Sequence, residues 1–389
     1  MSCVICTRAL LVVVLVAAVP NKHYDKVLAQ IGRANIEGRS IAITGCSSGI
    51  GKSVALAAAR QGARAIFMLN RTSERARAAE AEVRAAAGPG TAVETIECDL
   101  GSFASVRAAA ARLRDACASL EGAAAGCIPA TPSAAAAPPQ LDVLLLNAGV
   151  MALPELKTVD GYDVQAQTNH LSHFLLASEA FALVDAAARA HASAEGGPPS
   201  GRGRIVSVSS TARFSGGKIA ARYFEPLGAP GSLGGDGGSM WLATGTWVRY
   251  HQTKLAQPIF TFALHDRLRS LGSHVQVLSV DPGGAATNLQ TTSHGSGAMT
   301  SLEARFIFSA SQSADDGALP SLVACFGPEA RSGDFYTPKS GLTGPPVAVA
   351  KEGVFKNGCA ESNSAHVPSR EVLWAASEKA VGPFKFQAA

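Results

Sequence analysis

The chain has no basic run with interleaved aromatic residues; 16% of its residues are charged and the formal net charge is only +4. Nucleic acid needs a concentrated cationic face against its phosphates, so no nucleic-acid partner is expected. The eight cysteines (Cys3, Cys6, Cys46, Cys98, Cys117, Cys127, Cys325 and Cys359) do not fall into paired metal-ligand spacing. Cys3 and Cys6 form a lone CxxC, and no metal is expected. Cys46 in a glycine-rich turn and Cys98 at a strand end are poor places for disulfides. The pattern reads as a reducing compartment, organellar or cytoplasmic. The apolar stretch Ala9 to Val19, between Arg8 and Lys22, is eleven residues long, short of the roughly 20 that span a bilayer. It reads as a signal-peptide core, a marginal membrane anchor or an amphiphilic lead-in. Membrane association through residues 9–19 is the favoured expectation, with a soluble protein bearing a frayed leader beside it.

What is present is a long alternation of strand and helix patterns. With 389 residues, 47% of them hydrophobic, the chain has ample material for a buried core. Strands are expected at 39–44, 65–69, 92–98, 141–146, 204–208 and 274–280, with a last short one at 334–336. Helical spacing fills 49–61, 72–87, 102–120, 160–190, 248–271 and 313–326. Strands alternating with helices predict a doubly wound α/β fold, a Rossmann-like parallel sheet of about seven strands. The expected organisation is a leader at 1–38, one domain at 39–345 and a C-terminal tail at 346–389. Ala-, Pro- and Gly-rich segments at 121–140, 191–203 and 211–247 read as surface insertions.

The turn Thr44-Gly45-Cys46-Ser47-Ser48-Gly49-Ile50-Gly51 joins the first strand to the first helix of this alternation. Glycines let a backbone approach a pyrophosphate, and the helix start offers free N–H groups and a positive dipole end. The second strand ends in Asn70-Arg71. A guanidinium there suits a ribose 2′-phosphate, where a carboxylate would select the free hydroxyl, so NADP is expected over NAD. Far downstream, Tyr250 and Lys254 stand four apart on a helical stretch and so share a face. A neighbouring cation favours the phenolate, and the phenol pKa is expected to fall toward neutrality.

These motifs, with Asp99-Leu100, Asn147-Ala148-Gly149, Asn169, Ser210 and Pro282-Gly283 in that order, resemble the short-chain dehydrogenase/reductase family over roughly 39–345. The segments Asn169-His170-Leu171-Ser172-His173-Phe174 and Tyr250-His251-Gln252-Thr253-Lys254-Leu255-Ala256 look most like its branch of retinol dehydrogenases and protochlorophyllide reductases.

The resemblance implies an oxidoreductase that interconverts a small-molecule alcohol and carbonyl. Tyr250 would exchange the proton, and Lys254 would depress its pKa and hold the nicotinamide ribose. Ser210 would bind the substrate oxygen, and Asn169 would support Lys254 through a water. Gly45, Ser47, Ser48, Gly49, Ile50, Gly51, Asn70 and Arg71 would hold the cofactor phosphates and ribose. Asp99 and Leu100 would lie at the adenine, and Asn147, Ala148 and Gly149 would line the cleft. Pro282, Gly283 and Thr287 would lie over the nicotinamide. A C=C reductase and an inactive cofactor-binding regulator are the alternatives, and a homo-oligomer is allowed.

His170 and His173, three apart, lack a third metal ligand and read as helix packing. Forty positions separate Ser210 from Tyr250, longer than in compact members of the family. The aromatics of that insertion (Phe214, Tyr223, Phe224, Trp241 and Trp247) and Met240 suit an apolar substrate wall for a lipophilic substrate, or equally a disordered lineage-specific insertion. Residues 284–299 read as a mobile substrate lid.

Overall fold

The computed structural model describes residues 20–125, 138–195, 202–237, 245–285, 311–356 and 361–386. A single sheet runs through them in the order β3-β2-β1-β4-β5-β6-β7-β8-β9. Its strands are β1 (Ser40–Thr44), β2 (Ala65–Asn70), β3 (Ala92–Glu97), β4 (Val143–Leu146), β5 (Arg204–Val208), β6 (Gln276–Val280), β7 (Phe335–Pro338), β8 (Pro346–Lys351) and β9 (Val354–Phe355). Strands β1 to β7 are parallel, and β8 and β9 add on antiparallel. The seven expected parallel strands are therefore present and the sheet carries two more.

The helices are α1 (Tyr24–Ile31), α2 (Gly49–Arg60), α3 (Glu74–Ala86), α4 (Phe103–Ala125), the single turn α5 (Val164–Ala166), α6 (Ser172–Glu195), α7 (Thr246–Ser270), α8 (Ala314–Phe326) and α9 (Val367–Val381). Alternate strand residues serve opposite faces of the sheet. Ala42, Leu144, Ile205 and Val277 enter one core with α4, α6, α7 and α9. Ile41, Ile43, Leu145, Val206 and Leu278 enter the other with α1, α2, α3 and α8. Both faces are covered, which is why the strands read as continuous apolar runs.

The segment from 346 onward departs from the expected tail. It supplies β8 and β9, and α9 sends Leu373 and Trp374 into the core beside Phe384. The rings of Trp374, Phe384 and Phe386 meet Phe174 and Phe181 of α6 edge-on, and Trp374 stacks on Phe386. The insertions are also smaller than expected. α4 continues to Ala125 and α6 to Glu195, and Thr211–Gly216 and Ala221–Phe224 form short 3-10 helices. Tyr223 and Phe224 are buried in the core, whereas Met240, Trp241 and residues 286–310 lie outside the described residues. The stretch 164–192 is apolar and long enough to cross a membrane by composition, yet 78% of that window is buried, so packing inside the fold accounts for its apolarity. Residues 9–19 lie outside the described residues.

The strand order reverses between β1 and β4. Adjacent crossovers leave the sheet in opposite directions there, opening a crevice at the carboxyl ends of the strands. The end of β1, the end of β4 and the glycine turn meet at this point.

Candidate active site

The turn after β1 has the conformation its glycines allow. Gly45 and Gly49 have φ of +70° and +60°, a region costly for residues with a Cβ. At Gly51 a Cβ would lie 2.6 Å from both Asn147 Nδ2 and the Gly45 carbonyl oxygen, so only glycine lets α2 start this close to the turn. Ser48 caps α2 in an extended conformation and its hydroxyl makes no cap bond. The leading N–H groups of α2, beside the half-exposed Ser47, Ser48 and Ile50, are thus left for an outside acceptor, with the positive dipole end behind them.

Two asparagines of the motifs brace this turn. Asn147 Nδ2 donates to the carbonyls of Thr44 (2.9 Å) and Gly45 (3.1 Å). Asn70 is 5% exposed, and its Oδ1 accepts from the Cys46 N–H at 2.9 Å. Its carboxamide therefore faces the turn backbone, while Arg71 is exposed at the end of β2 and has no ion pair among the described residues. Asp99 folds back on the Gly101 N–H at 2.9 Å, and the Leu100 carbonyl accepts from Ser172 Oγ at 2.7 Å. Thr287 lies outside the described residues.

Tyr250, Lys254, Ser210 and Asn169 converge at the carboxyl ends of β4 and β5. Tyr250 and Lys254 are 3% and 4% exposed on one face of α7, and Lys254 Nζ lies 5.9 Å from the Tyr250 ring centre. Ser210 stands near enough to the Tyr250 phenol to act on its pKa, and its Oγ accepts from the Ala212 N–H at 3.3 Å. The neighbouring Ser209 is engaged elsewhere: its Oγ donates to the Lys254 carbonyl at 2.7 Å. Pro258 stands four residues after Lys254 inside α7. Proline has no N–H, so the Lys254 carbonyl lacks its helical donor, and Ser209 supplies one. Asn169 sits in a π-helical turn, Gln167–Leu171. Its Oδ1 accepts from Val150 N–H at 2.7 Å, and its Nδ2 donates to the Val150 carbonyl and to Thr253 Oγ1, both at 2.9 Å. Its described bonds reach α7 at Thr253 and Gln257, on either side of Lys254 in sequence. Gly149 lies between Lys254 and Asn169: a Cβ there would be 3.3 Å from both Lys254 Nζ and Asn169 Oδ1. Its bare backbone keeps that space open.

The electrostatics differ from the sequence expectation. Burial raises the Tyr250 pKa above the ordinary value, against a lowering from Ser210, and Asp281 raises it further. The phenol is not lowered toward neutrality, because complete desolvation outweighs an ammonium about one turn away. Lys254 is the tuned group. Burial lowers its pKa to about 8, with Asp281 acting in the opposite direction.

Several residues that the sequence reading passed over hold these groups in place. Arg213, 2% exposed, pairs with Asp281 and, through two hydrogen bonds, with Glu361 at 3.1 and 2.5 Å. It also donates to the Ser210 carbonyl at 3.0 Å. Asp281 Oδ1 in turn accepts from the Gly283 N–H at 2.8 Å. Gly283 has φ +67°, and a Cβ there would strike the Leu342 carbonyl at 2.3 Å. Pro282 accepts at its carbonyl from Gln312 at 2.9 Å. One guanidinium thus links the Ser210 strand end, the Pro282-Gly283 loop and the C-terminal segment. Arg249, next to Tyr250, is 1% exposed and lies 3.2 Å from Asp163 and 3.5 Å from Glu155. Trp247 packs edge-on against Tyr250 at 6.1 Å between centres.

His170 and His173 point to separate partners. His170 Nε2 meets Ser377 Oγ at 2.8 Å, and His173 bridges Thr44 Oγ1 and the Asn169 carbonyl, each at 3.0 Å. Among the described residues no cluster of three His, Cys, Asp or Glu is placed to hold a metal. Cys46, Cys98, Cys117 and Cys325 are free and buried.

Comparison with known proteins identifies the family of the chain. Residues 39–133 match the short chain dehydrogenase family. Human retinol dehydrogenase 13 is 32% identical over 284 residues, covering 72% of this chain and 70% of its own. The putative daunorubicin C-13 ketoreductase DnrU of a Streptomyces species is 37% identical over 142 residues, 36% of this chain and 41% of its own. Among solved structures, a putative uncharacterized protein from Mycobacterium paratuberculosis superposes with a TM-score of 0.58 at 27% identity, covering 89% of this chain and 94% of that one. The chain belongs to the short-chain dehydrogenase family, in its retinol dehydrogenase-like branch, and is a nicotinamide-dependent oxidoreductase of alcohols and carbonyls.

Proposed function

We propose that the protein is an NADP-dependent enzyme that interconverts an alcohol and a carbonyl on a lipophilic substrate, with Tyr250, Ser210, Lys254 and Asn169 as its working groups. The observation that carries this reading is the buried Tyr250 phenol, with Ser210 beside it and the Lys254 ammonium on the same helix face.

The residues present fit a dinucleotide. The uncapped start of α2 and the glycine turn offer N–H donors for a pyrophosphate. The bare face of Gly149, beside Lys254 and Asn169, leaves room for a ribose and ring. When bound, the nicotinamide supplies or accepts the hydride. In reduction, the Tyr250 O–H gives its proton to the substrate oxygen as that oxygen gains charge, and Ser210 Oγ–H hydrogen-bonds the same oxygen. In oxidation the proton returns by the same path. A phenol kept protonated by burial is ready as the acid, and Lys254 stabilises the phenolate left behind. Asn169 braces α7 next to Lys254 through Thr253.

Arg71, exposed and without an ion partner among the described residues at the end of β2, supports NADP. One observation favours NAD: Glu97, which pairs with Asn70 across β2 and β3, places a carboxylate at the neighbouring strand end. The lipophilic substrate class is supported by relatives named for retinol and daunorubicin and by Trp247 against Tyr250. Membrane association through residues 9–19 belongs to the same reading, on the strength of that stretch's apolar composition.

The test is a fluorescence titration with NADPH and NADH, followed by a panel of retinoid, polyprenyl and aromatic aldehydes and ketones read at the reduced-nicotinamide band. Tighter NADPH binding and consumption of NADPH with an apolar aldehyde or ketone are expected. Binding without turnover on the whole panel would identify a cofactor-binding regulator instead, and equal affinities would remove the Arg71 argument.

A further inference from the structure

His173 has no place in the proton chemistry above, yet it is 1% exposed and both ring nitrogens are engaged. Its Nδ1 lies 3.0 Å from the Asn169 carbonyl oxygen. A carbonyl can only accept, so Nδ1 carries the proton. In a neutral ring Nε2 is then an acceptor. Its partner, Thr44 Oγ1 at 3.0 Å, already accepts the N–H groups of Asn147 at 2.9 Å and Ala148 at 3.0 Å. A hydroxyl has two acceptor positions and one proton, so the Thr44 proton must point at Nε2. The polar groups of Thr44 and His173 are all used in this string, the Asn169 carbonyl also accepts from Gln257 Nε2, and Thr44, His173 and Asn169 are all 1% exposed or less. Burial also holds the His173 pKa down at about 4, which keeps the ring neutral at physiological pH.

The string runs between two parts of the site. At one end, Thr44 precedes Gly45 and binds the N–H groups of Asn147 and Ala148, where the glycine turn meets the end of β4. At the other, Asn169 braces α7 beside Lys254 through Thr253. We propose that His173 is a positioning residue: one imidazole, locked as the Nδ1–H tautomer, ties the cofactor turn to the Asn169 brace and so sets the distance between bound cofactor and the Tyr250/Lys254 face. The inference rests on the nicotinamide-enzyme reading above.

Two substitutions separate the ends of the string. In His173→Gln the side-chain amide reaches the former Nε2 position, so an acceptor for Thr44 remains while the donor to Asn169 is lost. In His173→Asn the amide reaches the former Nδ1 position, with the opposite result. His173→Gln is expected to leave the NADPH Kd within about threefold and to lower kcat about tenfold, the scale of one buried hydrogen bond. His173→Asn is expected to raise the NADPH Kd about tenfold with the smaller effect on kcat. Thr44→Val should weaken NADPH binding as His173→Asn does, and Thr44→Ser, which restores the hydroxyl, should recover it.

Ring ¹⁵N correlation spectra of the uncomplexed protein give a readout independent of turnover, and should show His173 protonated at Nδ1 only. An Nε2–H ring, equal changes in Kd and kcat for the two His173 variants, or no change in either would overturn the positioning role while leaving the enzyme reading standing. A wild-type protein that binds no nicotinamide nucleotide would overturn both.

Discussion

Replacing Lys254 with methionine should stabilise the ligand-free protein near neutral pH while abolishing turnover. Lys254 is 4% exposed and makes one described hydrogen bond, to the Val208 carbonyl at 3.3 Å. Burial lowers its pKa from 10.5 to about 8. At about 1.4 kcal/mol per pH unit, that depression corresponds to roughly 3 kcal/mol disfavouring the cation in the folded protein. Losing the bond to Val208 returns about 1 kcal/mol, so methionine, of similar length and apolar, should gain about 2 kcal/mol. That is a rise of about 3 °C in Tm for a domain of this size.

A base whose folded pKa lies below its unfolded value destabilises the fold while it is protonated, and wild-type stability recovers as pH climbs from about 8 toward 10.5. The gap between Lys254→Met and wild type should therefore be full near pH 7 and close by about pH 10. Differential scanning fluorimetry across that range, without cofactor, measures it. A variant less stable than wild type at pH 7, or a gap that does not change with pH, would refute the reasoning. The residue would be an example of stability given up for activity.

Three further outcomes follow from particular contacts. Glu361→Gln should destabilise the fold by about 3 kcal/mol in urea unfolding, because it breaks a buried pair and leaves the Arg213 charge with Asp281 alone; a change under about 1 kcal/mol would show that water reaches this site. Ser209→Ala should cost about 1–3 kcal/mol, since the Lys254 carbonyl then has neither a helical donor nor the serine, and an unchanged urea midpoint would contradict that. Arg71→Ala should weaken NADPH binding by about 10- to 100-fold, the range of a charge-assisted hydrogen bond, and leave NADH nearly unaffected; a parallel loss for both nucleotides would contradict a phosphate contact.

Much of this architecture could be read in the chain because strand and helix patterns alternate without ambiguity and because covered strands are uniformly apolar. The motif residues converge as local spacing and strand ends dictate: Tyr250 and Lys254 by helical period, Ser210 by its place at the end of β5, the glycines by the turn they allow. What the sequence hid depends on contacts far apart in the chain. Arg213 meets Glu361 at a separation of 148 residues, and nothing near either residue announces a pair. The segment after 345 looked like a tail because α9 is apolar only where Leu373, Trp374 and their neighbours meet α7, and β8 is half exposed. The motif position of Asn70 suggested a cofactor contact, but only the folded turn shows its carboxamide on Cys46. The phenol pKa departs from the expectation because adjacency to Lys254 is visible in sequence and the depth of burial is not. Pro258 is a signal legible in the sequence: a proline four residues past the lysine marks a carbonyl in need of another donor.

The central claim is that Tyr250 gives or takes the proton while the hydride passes between nicotinamide and substrate. Its most direct test is a single-turnover reduction of a retinoid aldehyde with NADPH deuterated at the transferable position, comparing wild type with Tyr250→Phe and analysing the alcohol by mass spectrometry. Wild type should place one deuterium on the carbinol carbon, and the Phe variant should bind NADPH with nearly unchanged affinity and form no labelled alcohol. Labelled product from the Phe variant at the wild-type rate would contradict the account.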